Sequence, residues 1–268
     1  MRRRFLTAIG LAGIAAWGAI AFGQSGEIRA PRPPQGYLAP NALDEKSFLP
    51  PPPDVRSAAG KADLAIFRAT RSFRDTQRWK MAAQDNAADQ ASLLGDFSCA
   101  LGTKLKPADA PALSRLLQRS TADAGPLIGP PKDRYARSRP FLKAKGPVCI
   151  SLSPEFSRSG GYPSGHSTVG WLYALVLAEV SPDRASTLLA RGRAFGESRV
   201  VCGVHYASDV EAGYLVAASL TAVLNSSPAF RDDLATAKIE LAQIRQRATA
   251  PDAAQCASEQ MILFRRPW

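Results

Sequence analysis

Gly160-Gly161-Tyr162-Pro163-Ser164-Gly165-His166 runs straight into Ser167-Thr-Val-Gly-Trp-Leu-Tyr-Ala-Leu-Val-Leu-Ala-Glu-Val180. The second stretch is apolar nearly all round, which marks a helix at the centre of a helical body. Working outward, helix starts recur. Asp109-Ala110-Pro111 sets a cap candidate and an early proline ahead of Leu113, Leu116 and Leu117. Ser181-Pro182-Asp183 repeats the signal before Leu188, Leu189 and Phe195. Ser227-Pro228 repeats it before residues 229–248, where Leu234, Ile239, Leu241 and Ile244 are apolar. Residues 61–92 carry Ala, Leu, Arg, Gln and Lys with few breakers and read as helical, whereas Gly, Pro and Ser make 130–163 mostly loop. No alternating run with hairpin-turn residues occurs. The expected fold class is all-α, a single-domain helical bundle over residues 58–268.

Arg2, Arg3 and Arg4 precede an uncharged apolar stretch from Phe5 to Phe22, followed by Gln24-Ser25-Gly26. Residues 1–23 therefore read as a secretory signal peptide. An uncleaved anchor is the alternative, which the small residues Gly10, Ala12, Gly13, Ala15, Ala16 and Gly18 weaken. Charges interrupt every later apolar segment, so no further membrane span is expected and the mature chain is expected to be periplasmic. Residues 24–57 form a Pro-rich extended arm that includes Pro50-Pro51-Pro52-Pro53, with Tyr37, Leu38, Phe48 and Leu49 as apolar anchors.

The 268 residues are 46% hydrophobic and 21% charged, which excludes collagen, low-complexity disorder and a polytopic membrane protein. The 34 Lys+Arg against 23 Asp+Glu give a net charge of +11, or +8 once the three leader arginines are removed. Such a balance implies affinity for anions. Cys99, Cys149, Cys202 and Cys256 lie far apart with no C-x-x-C pair, so a zinc site is not indicated. In an oxidising compartment they suggest two disulfides, and read from the residues alone all three connectivities stay open.

Chemistry concentrates in three clusters. Lys132, Arg134, Arg137 and Arg139 form a basic run that on its own would be a solvated face. Residues 160–166 pair close-approach glycines with a helix N-terminus, an anion cradle in which Ser164 adds a hydroxyl and His166 a proton carrier. Taken alone, Ser164 would be a helix cap. In the third cluster, Glu197 to Asp209, a helical turn after His205 puts Asp209 on the same face. That carboxylate can fix the imidazole tautomer and leave the other nitrogen free as a nucleophile. The chain's two histidines both fall in these clusters. Phosphoryl transfer without a metal needs cations for the equatorial oxygens, a nucleophile in line and an acid for the departing oxygen. Lys132, Arg139 and Arg199 can be the cations, His205 the nucleophile and His166 the acid.

Lys132-x6-Arg139-Pro140, Pro163-Ser164-Gly165-His166 and Ser198-Arg199-x5-His205-x3-Asp209 resemble, in order and spacing, the three motifs of the phosphatidic-acid-phosphatase type 2 and vanadium haloperoxidase superfamily. Within it, Tyr37-Leu-Ala-Pro40, Leu49-Pro50-Pro51-Pro52-Pro53, Lys80-x-Ala-Ala83-x-Asp85 and Cys202-Gly203 look most like the class A bacterial non-specific acid phosphatases. The resemblance implies a helical periplasmic enzyme that hydrolyses small phosphomonoesters through a phosphohistidine, with no cofactor or required metal. By position it makes His205 the nucleophile, Asp209 its orienting partner and His166 the proton donor. Lys132, Arg139, Ser164, Gly165 and Arg199 then hold the phosphoryl oxygens. An acidic pH optimum is expected if His205 works neutral while His166 stays protonated. Tyr206 fits loosely the bulky residue that follows the nucleophile in the family. Cys99 and Cys256 lie outside the family pattern, and a Cys99–Cys256 bridge beside Cys149–Cys202 is the expectation. The resemblance also implies a homodimer or higher oligomer.

The rival on the same site is a vanadium-dependent haloperoxidase, and the compact chain favours the phosphatase. A lipid phosphatase of this superfamily would bring several membrane spans, which are not expected here. A basic polyanion-binding protein is the rival of another class. Against it, the basic residues cluster with two histidines instead of lining an aromatic-studded groove, so no nucleic-acid partner is expected.

Overall fold

The computed structural model describes residues 34–247 and 249–268. The signal peptide assigned to 1–23 and residues 24–33 of the arm lie outside them. Among the described residues the chain forms helices and no strand. Short polar side chains start many of them, each giving an oxygen to a first-turn N–H that would otherwise lack a partner. Asp44 caps α1 (Glu45–Phe48), Ser57 caps α2 (Ala58–Thr70), Thr76 caps α3 (Gln77–Gln84) and Asp89 caps α4 (Gln90–Asp96). α5 (Ser98–Leu101) stops at Gly102, and α6 (Pro111–Tyr135) opens on its proline. Then follow α7 (Pro154–Arg158), α8 (Gly165–Val180), α9 (Ala185–Val201), α10 (Ala207–Leu224), α11 (Pro228–Arg245) and α12 (Ala253–Phe264).

Two local expectations need correction. Residues 61–92 are not continuous helix: the chain breaks after Phe73, Asp75 takes a left-handed conformation with φ 65°, and Thr76 starts α3 afresh. The loop read from Pro130 onward begins later, because α6 runs through Pro126, Pro130 and Pro131 to Tyr135. Pro126 and Pro130 are spaced four apart on the exposed side of α6, while Leu127 and Pro131, each one residue further on, are buried. Carbonyls that lose an N–H partner there can turn to water, and burial of the opposite side holds the helix together. This extension carries Lys132 on a helix instead of a loop.

α8 lies at the centre, as its all-round apolar surface requires. Leu172, Ala174, Val176 and Leu177 are fully buried in one cluster with residues of α6, α9, α10 and α11. α10 is, among the described residues, the one helix long and apolar enough to cross a membrane, which corrects the reading that charges interrupt every later segment. Its charges, Asp209 and Glu211, sit near its start and leave the remainder uninterrupted. Val216, Ala217, Leu220 and Leu224 bury that remainder in the protein core. Tyr37, Leu38 and Phe48 pack on the core, Leu49 is buried in it, and the Tyr162 hydroxyl donates to the Pro50 carbonyl at 2.6 Å. Both expected disulfides, Cys99–Cys256 and Cys149–Cys202, are formed. The first fastens α12 to α5, and the second fastens the 149 loop to the end of α9.

α10 meets the first turn of α8 at Gly213. A Cβ there would lie 2.7 Å from the Ser164 carbonyl oxygen and 3.0 Å from the Ser167 Cβ. Gly213→Ala should therefore destabilise the protein by about 1–3 kcal/mol through overpacking. At Gly125, on α6, nothing lies within 4 Å of the added methyl, and Gly125→Ala should stabilise by about 0.5–1 kcal/mol. Urea unfolding of both variants checks the pair; a Gly213→Ala midpoint equal to or above that of the parent would contradict the packing described.

Candidate active site

Four segments meet at one place, and each is positioned by local chemistry. The end of α6 brings Lys132, whose Nζ donates to the Gly160 carbonyl at 2.8 Å. Gly160 is required for that approach, because a Cβ on it would lie 2.4 Å from the Lys132 carbonyl oxygen. The chain then turns through Ala136 and delivers Arg137 and Arg139. Arg139 is clamped by the Ser159 carbonyl (3.2 Å), the Ser159 hydroxyl (3.0 Å) and the Val204 carbonyl (3.0 Å), and it stacks on Phe156.

α8 begins at Ser164, whose Oγ accepts from Ser167 N at 3.3 Å and lies 2.8 Å from Ser167 Oγ. The capping role is thus present, and the hydroxyl proton of Ser164 remains for a ligand. Thr168 N donates to the Ser164 carbonyl, which leaves the first-turn N–H groups of Gly165 and His166 for a ligand as well.

α9 ends where Arg71 donates to the carbonyls of Val200 (2.6 Å) and Val201 (2.7 Å), a cation on a helix C-terminus. Gly203, with φ 87°, then reverses the chain, and only a residue without a side chain fits there comfortably. Together with the Cys149–Cys202 bridge, this turn holds Arg199 on one side and His205 on the other. Arg199 is fully buried; Nη2 donates to Asn86 Oδ1 at 3.0 Å, while Nε and Nη1 have no partner. Two unpaired donors on a buried guanidinium are costly and suit a site that receives an anion.

His205 Nδ1 lies 3.3 Å from Asp209 Oδ2, and Nε2 lies 2.9 Å from Arg139 Nη1. Arginine only donates, so Nε2 carries the lone pair and Nδ1 the proton. His166 Nε2 lies 3.0 Å from the Asn86 carbonyl oxygen. A carbonyl only accepts, so that nitrogen bears hydrogen and Nδ1 is the position open to chemistry.

Burial and the surrounding cations dominate the electrostatics. Burial, then Arg139, Lys132 and Arg199, hold His205 well below the usual imidazole value. Burial, then Arg199, take His166 down to about 3, and burial followed by Arg139 takes Lys132 down to about 8. Burial lifts Asp209 to about 6 against the pull of Arg137. These surroundings favour the neutral His205 of the expected pairing and disfavour the protonated His166. Burial contributes most, and three cations with too little negative charge around them add to it.

Every site residue expected from sequence lies in this one place. Sequence reasoning missed Asn86, which touches both His166 and Arg199, and Asp63, which lies on α2. It read Arg137 only as part of a basic run, yet this arginine is largely covered and pairs with Asp209. Asn86 directly follows Asp85, the last residue of the quoted 80–85 motif, and that adjacency was its one signal. Among the described residues no three His, Cys, Asp or Glu side chains are grouped to hold a metal ion.

The PAP2 superfamily profile matches residues 117–232, from early α6 to early α11. The chain is 40% identical over 218 residues to an acid phosphatase of Zymomonas mobilis, covering 81% of this chain and 83% of that protein. It is 38% identical over 207 residues to a non-specific acid phosphatase of Providencia stuartii, covering 76% and 84%. A non-specific acid phosphatase of Salmonella typhimurium matches at 36% over 202 residues, 75% of this chain and 81% of that one. With the three motifs assembled around one buried His–Asp pair, and with such identity along most of its length, the chain belongs to the PAP2 superfamily, in the company of these bacterial acid phosphatases.

Proposed function

We propose that this protein is an exported acid phosphatase that hydrolyses small phosphomonoesters through a phosphohistidine on His205. The observation that carries the reading is the orientation of that ring: Nδ1 engaged by Asp209, Nε2 turned toward Arg139 within the field of Lys132 and Arg199. Export rests on the charged and apolar leader, and the two disulfides suit an oxidising compartment.

When a phosphoryl group enters, Arg139 transfers its N–H from the His205 lone pair to a phosphoryl oxygen. Lys132, the two unpaired donors of Arg199, the Ser164 hydroxyl and the N–H of Gly165 hold the remaining oxygens. Nε2 of His205 attacks phosphorus, the N–P bond forms and the ester P–O bond breaks. The leaving oxygen keeps the electron pair and takes a proton from Nδ1 of His166. Asp209 stabilises the positive charge that develops on the His205 ring. His166, now neutral, removes a proton from water as the water oxygen attacks phosphorus. The N–P bond then breaks, its electrons return to Nε2, and phosphate departs.

The acid step requires a protonated His166, which burial and the surrounding cations disfavour. A bound dianion offsets the cations that depress it, so substrate binding itself raises the proton affinity of His166. The sign follows: at mildly acidic pH the ring is neutral before binding and protonated after it, so binding takes up a proton.

Two measurements test this reading. His205→Ala should abolish turnover, and His166→Ala should lower kcat/KM, which reports the phosphorylation step, about 10²–10⁴-fold on an alkyl phosphate but clearly less on p-nitrophenyl phosphate, whose leaving group needs no proton. Equal losses on both esters would remove His166 from the acid role. Calorimetry of sulfate binding at pH 5, in buffers of different ionisation enthalpy, should show uptake of close to one proton, absent in His166→Ala. Sulfate does not itself titrate there, so binding without proton uptake would contradict the electrostatic account.

A further inference from the structure

On the Nδ1 side of His205, beyond Asp209, lies a second, largely buried charge pair that the three motifs do not name. Arg137 Nη1 donates to Asp209 Oδ1, and to Ser208 Oγ at 2.7 Å. Its Nη2 donates to Asp63 Oδ2 at 2.7 Å. Asp63 also accepts from Ser208 N at 3.0 Å and from the Ser208 hydroxyl, so a carboxylate on α2 caps the first turn of α10. The Arg137 guanidinium lies over the Tyr206 ring at 4.6 Å. The side chains are 10%, 4% and 0% exposed for Arg137, Asp63 and Asp209, so these contacts operate away from solvent screening.

Asp209 thereby has two separate duties for its oxygens. Oδ2 holds His205 Nδ1 and accepts from Tyr206 N at 2.9 Å, while Oδ1 is held by Arg137. A buried carboxylate with one oxygen unsupported can rotate away from its imidazole or take up a proton, and either change ends its use to His205. We propose that Arg137 and Asp63 are a positioning pair for the nucleophile: Arg137 fixes Asp209 in plane and ionised, and Asp63 fixes Arg137. Neither residue touches substrate. The inference rests on the phosphohistidine reading and extends it to the part of the chain, α2, that lies outside the matched family profile.

The groups facing His205 and Asp209 are Arg139 and Lys132 from the α6 segment, Arg199 from α9, His166 from α8, the phenols of Tyr162 and Tyr206, and Arg137 with Asp63. Of these, Arg137 favours the ionised Asp209 and Asp63 opposes it. Removing the two charges should therefore move the acidic limb of the kcat–pH profile in opposite directions.

The test is steady-state kinetics of p-nitrophenyl phosphate across pH for the parent, Arg137→Met, Arg137→Lys, Asp63→Asn and His205→Ala. Arg137→Met should lower kcat about 10- to 100-fold with KM within about twofold, and should move the acidic limb to higher pH. Arg137→Lys should restore much of kcat and bring the limb back. Asp63→Asn keeps a hydrogen-bonding oxygen but not the charge, and should move the limb to lower pH. Limbs that stay in place, or that move the same way in Arg137→Met and Asp63→Asn, would overturn the pair. If Arg137→Met does not fold, an unmoved limb in Asp63→Asn overturns it alone. A His205→Ala protein that still turns over would instead end the underlying reading, so the two failures are distinguishable.

Discussion

One buried carboxylate joins the parts of this site. Asp209 reaches His205 and Tyr206 N through Oδ2 and Arg137 through Oδ1, and its backbone carbonyl accepts from Ser164 N at 2.9 Å. Arg137 belongs to the basic segment after α6, Ser164 to the start of α8, and His205 to the turn after α9. A single fully buried residue at the start of α10 thus fastens all three motif-bearing segments. Burying an ionised carboxylate is unfavourable unless every lone pair is used. Here the partners that satisfy it are the elements that must converge for catalysis. The spacing of His205 and Asp209, one helical turn, is the local rule that makes this possible.

Around that anchor the fold gathers positive charge beyond what it neutralises. Arg199 is buried with two unused donors, Lys132 is half-buried against Gly160, and Arg139 rests its N–H on a histidine lone pair. Such a place is stable only because helices α6, α8, α9 and α10 over-determine it through their packed core. Together with burial, that charge holds both imidazoles below their usual value. In the mechanism proposed above, the same cations that help suppress their protonation bind the phosphoryl oxygens, and the charge of the ligand completes the acid.

Much of this was legible in the sequence because the signals are local. The apolar run of α8, the Pro111 and Ser227 helix starts, and the His205–Asp209 spacing each need only neighbouring residues to be read, although Asp109 does not cap α6 and its carboxylate accepts from Lys106 N instead. The early end assigned to α6 failed because proline disfavours helix on average. Whether Pro126 and Pro130 face water, which decides the matter, depends on packing that periodicity does not reveal. Asp63, Asn86 and Arg137 were illegible for a related reason: each acts on a partner more than 70 residues away, and leaves no local pattern. Arg137 in particular looks in sequence like its exposed neighbour Arg134.

The central claim is that phosphorus is bonded to a nitrogen of His205 during turnover. Rapid acid-free quenching of a turnover mixture with a ³²P-labelled phosphomonoester, followed by peptide mapping in alkali, tests this most directly. The account requires an acid-labile, base-stable label on the peptide containing His205, absent from His205→Ala. Turnover without a labelled protein, in mixtures where breakdown of the intermediate has been slowed by loss of His166, or a label on any other residue, would contradict it.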